Sequence, residues 1–229
     1  GSGSASRPRN KGIELCQTEL LTFLDPDNEI SDGGYDALLA EFDQLWFSGE
    51  PVDFVSGFQV KIGRDKKITG KHADAPKQIF RDPIESFFSK GKFPVVSSQA
   101  AVIRKDLLDR EKIAFVENAI GQDTLFGWEL LLSSKTAAFT NTAHLLYYAE
   151  RAESVTNSVT EDFFNRSLVL EEAQVKVLEN YGILDFYTTH KLEPFLEQWY
   201  RVKLNYVRED QRHAAEVVLE KIEGLYRTG

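Results

Sequence analysis

The amino-acid sequence predicts a predominantly helical α+β fold: a helical bundle with one small β-hairpin near residues 58–69. Three observations carry that expectation. From Leu192 to Tyr226 apolar residues recur at helical spacing (Leu192, Leu196, Trp199, Val202, Tyr206, then Ala214, Val217, Ile222 and Leu225), with charged residues in most of the gaps. A period near 3.6 is what places such positions on one stripe. Leu170 to Tyr181 has the same character and is closed by Gly182. Phe58, Val60 and Ile62 instead alternate with Gln59 and Lys61, the period-two spacing of a strand.

In chain order, residues 1–10 read as a tag-like, flexible start, since Gly-Ser-Gly-Ser carries no fold information. The absence of Met fits a chain that begins inside a longer gene product. Ile13 to Leu24 reads as a first helix capped by Asn10, and Asp25-Pro26-Asp27-Asn28-Glu29 as a turn by composition. A second helix is expected from about Asp32 to Phe47, stopped at Gly49, and the two would form a helical hairpin over 11–56. The rest, 57–229, reads as a mainly helical body with a basic β-hairpin, with a single domain throughout as the alternative. Gly63-Arg64-Asp65 turns the first strand into a second at Lys66–Thr69, and Asp82-Pro83 starts a short helix through Phe88.

Phe93 to Val96 is extended, and Ser97 or Ser98 caps a helix towards Ile120, stopped by Gly121. Leu125 to Leu132 suits a buried strand or a buried helix, with helix preferred. Thr140 or Asn141 caps another helix through Leu145, Leu146 and Tyr147, and Glu150 to Asn157 is a polar loop. As one helix, Leu192 to Tyr226 would be about 50 Å long. A break at Arg208-Glu209-Asp210-Gln211, with Asp210 as N-cap, is therefore preferred.

Composition narrows the function classes. An apolar share of 42% and 16 Phe describe a folded chain, and no stretch is long and apolar enough to span a membrane. No secretory signal is visible, so the expected location is intracellular and soluble, in the cytoplasm or an organelle after removal of a targeting segment. The single cysteine, Cys16, excludes an internal disulfide and reads as a small buried residue of the first helix. The net charge of −9 is blocked: −8 over residues 1–60, +6 over 61–112 and −7 over 113–229. Such blocks either separate into an acidic and a basic side or face each other and neutralise.

Few motifs carry chemistry. The basic hairpin Lys61, Arg64, Lys66, Lys67 and Lys71, with His72, is a candidate anion site. It is not a phosphate-binding P-loop, because Asp65 stands where that pattern needs Gly and His72 follows Lys71. Aromatic residues for stacking bases are sparse around it, and nucleic acid is disfavoured. Asp25, Asp27 and Glu29 sit at the first, third and fifth positions of a calcium loop. Ile30 replaces the required Gly and Asp36 the final Glu, so the stretch is read as an acidic turn without metal. His72, His144, His190 and His213 form no metal-binding pattern, and His144 reads as a core or boundary residue.

Ile30-Ser31-Asp32-Gly33-Gly34-Tyr35-Asp36-Ala37-Leu38-Leu39 resembles a short motif in the N-terminal domain of NAD-dependent DNA ligases. That resemblance would place Tyr35 and Asp36 at the nicotinamide half of NAD. The paired tyrosines expected upstream fall near Leu21 and Thr22, and no Lys-x-Asp-Gly motif occurs. The stretch is therefore read as a helix start capped by Ser or Asp, and no family is assigned.

The resulting expectation is a non-catalytic protein–protein interaction or assembly module, with Trp199, Tyr200 and Tyr206 as partner-binding residues, because aromatic side chains favour interfaces. The alternative is an enzyme or binding protein for an anionic, phosphorylated small molecule held by the basic 61–112 block. No catalytic set, cofactor or metal site is predicted, and the oligomeric state is left open.

Overall fold

The computed structural model describes residues 4–50, 52–63, 65, 67–72, 77–82, 84–85, 95–148 and 159–227. The chain divides into two compact units, one of Pro8–Phe115 with Phe126–Arg151, the other of Gly1–Arg7, Val116–Leu125 and Ala152–Gly229. The larger unit is built on a mixed sheet of seven strands, which overturns the expected helical bundle with a small hairpin. The strands are β1 (Leu20–Leu21), β2 (Glu29–Ile30), β3 (Phe54–Ile62), β4 (Ile68–His72), β5 (Gln78–Arg81), β6 (Ala101–Arg104) and β7 (Thr136–Tyr148). Their order is β1-β6-β3-β7-β2, with β4 beside β3 and β5 beside β7. The long strands β3 and β7 run parallel and every other pair is antiparallel.

Both faces of this sheet are buried, and that hid it from the sequence. Phe54, Ile103, Ala137 and Phe139 face one core with Phe23, Phe80, Phe115, Phe126 and Leu130. Val55, Val102 and Ala138 face another with Leu38, Phe42 and Leu45. A strand covered on both faces reads as an apolar run without alternation, as Ala101-Val102-Ile103 does. The expected helix from Ser97 to Ile120 is instead a 3₁₀ turn (Ser98–Ala100), β6 and a short α3 (Lys105–Glu111). The strand pair expected near 58–69 exists, with β3 and β4 antiparallel, but it is one margin of the large sheet.

The expected helix through Leu145 and Tyr147 is likewise strand β7. Between Phe54 and Ile62, nine residues of β3 face twelve of β7, Ala137 to Tyr148. The three extra residues are taken up in bulges between Ser56 and Gln59, and bulges reset the in–out phase. Gly57 lies opposite, where a Cβ would stand 2.7 Å from the Thr142 carbonyl oxygen. Only glycine fits against that bulge.

Helix α1 runs Ser6–Leu15, so the segment taken for a flexible start is largely helical. It ends earlier than expected, and Leu20–Leu21 is strand. Helix α2 (Gly34–Phe47) matches the second expected helix in extent, but its N-cap is Gly33 at φ +66° with no side-chain cap, not Ser or Asp. Helices α1 and α2 are separated by β1 and β2 rather than forming a hairpin. Residues 125–132 fall within α4 (Gln122–Ser133). Pro83, Phe87 and Phe88 of the expected short helix, residues 93 and 94, and the 150–157 loop lie outside the described residues.

The smaller unit is helical. Helix α5 (Glu161–Asn180) ends ahead of Gly182 at φ +66°, and a helical stretch, α6, follows over 184–204. Within α6 the segments Thr188–Leu192 and Leu196–Arg201 have wider π turns. Helix α7 (Glu209–Leu225) follows a break, with Arg208 rather than Asp210 at its N-cap.

Candidate functional site

The acidic turn is the best-organised polar feature of the sheet unit. Phe23 anchors its entry edge-on against Phe115 and Phe126, at centroid distances of 5.2 and 5.8 Å. Two residues on, Asp25 receives Nη2 of Arg9 at 2.9 Å from each carboxylate oxygen. Arg9 comes from α1, is 7% exposed, and places its guanidinium 5.0 Å from the Phe115 ring centroid. Its neighbour Asn10 donates to the Phe115 carbonyl and accepts from the Phe115 amide, each at 2.8 Å. Helix α1 thus delivers two adjacent polar side chains, Arg9 to the acidic turn and Asn10 to the backbone of Phe115.

Gln99 completes the arrangement from the turn before β6. Its Nε2 donates to Asp25 Oδ2 at 3.0 Å, while its Oε1 accepts from the Asp25 amide and from Asn28 Nδ2, both at 3.0 Å. Asn28 in turn accepts from the Tyr148 amide at 3.3 Å, which ties the turn to the end of β7. The Asn28 amide closes the turn on the Asp25 carbonyl at 3.1 Å. Buried polar groups persist when each finds such partners. At the outer corner Asp27 is exposed, and Glu29 accepts from the Tyr148 hydroxyl at 3.0 Å. The loop therefore exposes Asp27 and Glu29 and holds the half-buried Asp25 against Arg9 and Gln99.

The other sequence-derived candidates lie elsewhere. Lys71 places its ammonium 4.4 Å from the Phe58 ring centroid, and Lys67 pairs with Asp65 at 3.3 Å. Lys61 is half-buried on β3, His72 is the last residue of β4, and Arg64 and Lys66 lie outside the described residues. In the helical unit, Trp199 is partly exposed and Tyr206 is 72% exposed. Tyr200 is buried and donates to Glu171 Oε1 at 2.6 Å, so it is not a surface contact residue as expected. Cys16 is also not buried; it lies half-exposed just past α1, with Sγ 3.2 Å from the Thr18 hydroxyl.

Burial shifts several titratable groups, among them His144, Glu129 and Glu171. Burial lowers the pKa of His144, whose two ring nitrogens have no hydrogen-bond partner and whose ring meets Tyr35 edge-on at 4.7 Å. Burial pushes Glu129 on α4 up to about 7. Burial also raises Glu171, against the opposing hydrogen bonds from Tyr200 and Tyr226. Among the described residues, no group of three or more His, Cys, Asp or Glu is placed to hold a metal ion.

Arg9 has no local signal, because residues 1–10 read as a tail, and Asp25 and Asp27 read only as an acidic turn without a function. The available signal was the Asp-x-Asp spacing directly after an apolar segment that ends at Phe23 and Leu24.

Comparison with known proteins gives this loop a context. Residues 4–111 match the family profile described as glycosyl transferase family 2. No curated protein matches the sequence. Among solved structures, the whole chain superposes on S. aureus TarS 1-349 in complex with UDP-GlcNAc, with TM-score 0.60, 15% identity and 72% of that chain covered. TarS 1-349 in complex with UDP gives TM-score 0.55 at 14% identity and 70% coverage, and TarS 1-349 alone gives 0.55, 14% and 71%, each again with all of this chain. These likenesses establish a GT-A-like fold and overturn the expected non-catalytic interaction or assembly module and scaffold role. They lend no support to a protein partner; the small molecules in the TarS structures are UDP-GlcNAc and UDP. Among the described residues no helix is long and apolar enough to cross a membrane. The chain is similar to family 2 glycosyltransferases over the segment that contains the whole Arg9–Asp25–Gln99 arrangement.

Proposed function

We propose that the chain contributes to glycosyl transfer from a nucleoside-diphosphate sugar, with the Asp25-Pro26-Asp27 turn meeting the diphosphate. The observation that carries this reading is the locked turn at the end of β1, inside the family-matched segment, with Asp25 fixed from within and Asp27 exposed. The likeness to a UDP-GlcNAc-bound enzyme supports the donor class. The sugar itself and the acceptor are not specified by these residues.

The chemistry is a substitution at the anomeric carbon. The bond from that carbon to the diphosphate oxygen breaks with its electron pair on the leaving group, and an acceptor hydroxyl forms the new bond and loses its proton. Negative charge grows on the diphosphate, and stabilising it there speeds the step. An exposed carboxylate beside a diphosphate is repulsive unless a cation lies between. Asp27 fits a cation held by one carboxylate and substrate phosphate oxygens, the usual habit of Mg²⁺. Asp25 does not fit, because both its oxygens are taken by Arg9 and one also by Gln99. When bound, such a cation would supply positive charge to the departing diphosphate. The chain's own part is to hold the turn rigid through Gln99 and Asn28 and to present Asp27 at a fixed place. Lys61, Lys67 and Lys71, in the same unit, favour approach of an anion at long range.

The test is UDP release from UDP-sugars with Mn²⁺ present, together with thermal stabilisation by UDP plus Mn²⁺. Asp27→Asn should cut turnover by about 100-fold or more, as loss of a major electrostatic contact does, while leaving the unfolding midpoint unchanged within a few degrees. Failure of UDP and of every UDP-sugar tried to stabilise the folded protein would remove this reading.

A further inference from the structure

Resting for its ligand class on the reading of the chain as one that acts on sugars, we infer that the groove between the C-terminal half of α2 and the start of β1 holds an amine-bearing glycan. This site is separate from the acidic turn. Its part is to bind and retain a sugar chain, with no bond made or broken there.

The groove measures about 540 Å³, within the range of about 300–1,000 Å³ that suits a small ligand. One wall is apolar, made by Leu20 of β1 and by Phe42, Trp46 and Phe47 of α2. Phe42 stacks on Trp46 with ring centroids 6.3 Å apart, and Phe47 is 84% exposed. A single exposed aromatic needs no explanation, but rings gathered inside a polar rim mark a binding surface. Here the rim is acidic: Glu19, Asp43 and Asp106 stand against one cation, Arg104. Arg104 shows what the groove favours. Its guanidinium lies 4.9 Å from the Trp46 ring centroid, and its Nε donates to Asp106 at 2.8 Å. A cation set over an aromatic face and against a carboxylate gains from both. Glu19 and Asp43 are exposed on the same rim, open to a second cation brought by a ligand.

The groove and the turn lie at opposite ends of the elements they share. Helix α2 has 14 residues and is about 21 Å long. The turn and β2 lead into its N-terminal end, whereas Asp43, Trp46 and Phe47 belong to its last turns. Likewise Leu20 opens β1, and the turn follows its close. A pyranose offers C–H groups on one face to a ring such as Phe47 and hydroxyls at its edge to carboxylates. An amino group supplies the charge that three carboxylates and one guanidinium attract, and a phosphorylated or uronic-acid chain is repelled.

The test is calorimetric titration of the full chain with a glucosamine tetramer, with the N-acetylated and therefore neutral tetramer, and with tetralysine, at mildly acid pH. The glucosamine tetramer should bind at least about tenfold more tightly than the neutral one, and more weakly as salt rises. Asp43→Asn and Phe47→Ala, both at exposed positions, should each weaken it about tenfold. Neither should move the unfolding midpoint or the stabilisation by UDP plus Mn²⁺. Equal binding of the neutral tetramer, equally tight binding of tetralysine, indifference to both substitutions, or no binding at all would each overturn the inference. UDP stabilisation of the same samples separates the two readings. If UDP stabilises the wild type and the glucosamine tetramer does not bind, the groove proposal alone is lost; if UDP fails, the reading that gave the ligand class is lost with it.

Discussion

The two units each hold a carboxyl group in a hydrogen-bonded cage, half-buried in one and buried in the other, and they do so with opposite partners. In the sheet unit Asp25 is met by a cation, Arg9, and by an amide. In the helical unit Glu171 is 1% exposed and meets only neutral donors: Tyr200 at 2.6 Å, Tyr226 at 2.5 Å and Gln174 at 3.2 Å. None of these hydrogen-bond partners is cationic. The first arrangement keeps a charge in place beside a surface loop. The second ties α5, α6 and the end of α7 together and raises the carboxyl's pKa, because burial outweighs the tyrosine hydrogen bonds. A paired charge suits a surface loop, and a carboxyl held by neutral donors suits a structural core.

That contrast can be broken experimentally. The largest effect is expected from Asp25→Leu, which strands the Arg9 guanidinium and should cost about 3–5 kcal/mol in urea unfolding. Adding Arg9→Leu should recover much of that loss, because an apolar pair of similar volume replaces an ion pair at little cost. Recovery is the sign of a true ion pair, and its failure would mean that Arg9 acts mainly through Phe115.

Next in size is the neutral cage. Tyr226→Phe removes the hydroxyl that donates to Glu171 and accepts from Gln174 Nε2, and should cost about 1–3 kcal/mol. Glu171→Gln keeps the shape and removes the charge that burial disfavours, so it should cost less than the tyrosine change in urea unfolding.

Glu129 sharpens the comparison, because it is half-buried without the cage. Its pKa is raised from 4.5 to about 7, so between those values the folded protein holds a proton that the unfolded chain has released. Stability then falls as pH rises through that window. Glu129→Gln should flatten this dependence and stabilise the protein at pH 8 by about 1–3 kcal/mol, allowing for partial exposure. His144 has the opposite sense. Its lowered pKa keeps it neutral in the fold while the unfolded chain takes up a proton below about 6.5, so stability falls as pH drops. His144→Leu should flatten the acid side by about 1 kcal/mol, read as the unfolding midpoint at pH 5 relative to pH 7.

The helical unit was largely legible in the sequence, and the sheet unit was not. Leu170 to Tyr181 and the break near Arg208 follow from 3.6-residue periodicity, which survives in helices with one exposed face. Strands β6 and β7 are covered on both sides, so their apolar residues carry no period, and the bulges of β7 erase what alternation remained. Strand β1 is two residues long, too short for any pattern. At the site, the spacing of Asp25 and Asp27 stood out as an acidic turn. Its partner Arg9, sixteen residues away, could be found only once α1 and the turn were seen to meet. A contact between elements leaves no trace in the local pattern of either.

Strand β7 behaves as a counted segment, with a reading frame of its own. Its Leu145 and Leu146 must reach β2, and its Tyr148 amide must reach Asn28, after three residues have been spent in the bulges. Substitutions between Thr140 and His144 leave that count intact, whereas a one-residue deletion shifts every later position to the opposite face. The loop would lose its tether through an event some distance along the chain that changes none of its own residues. In this part of the molecule length is the stricter constraint.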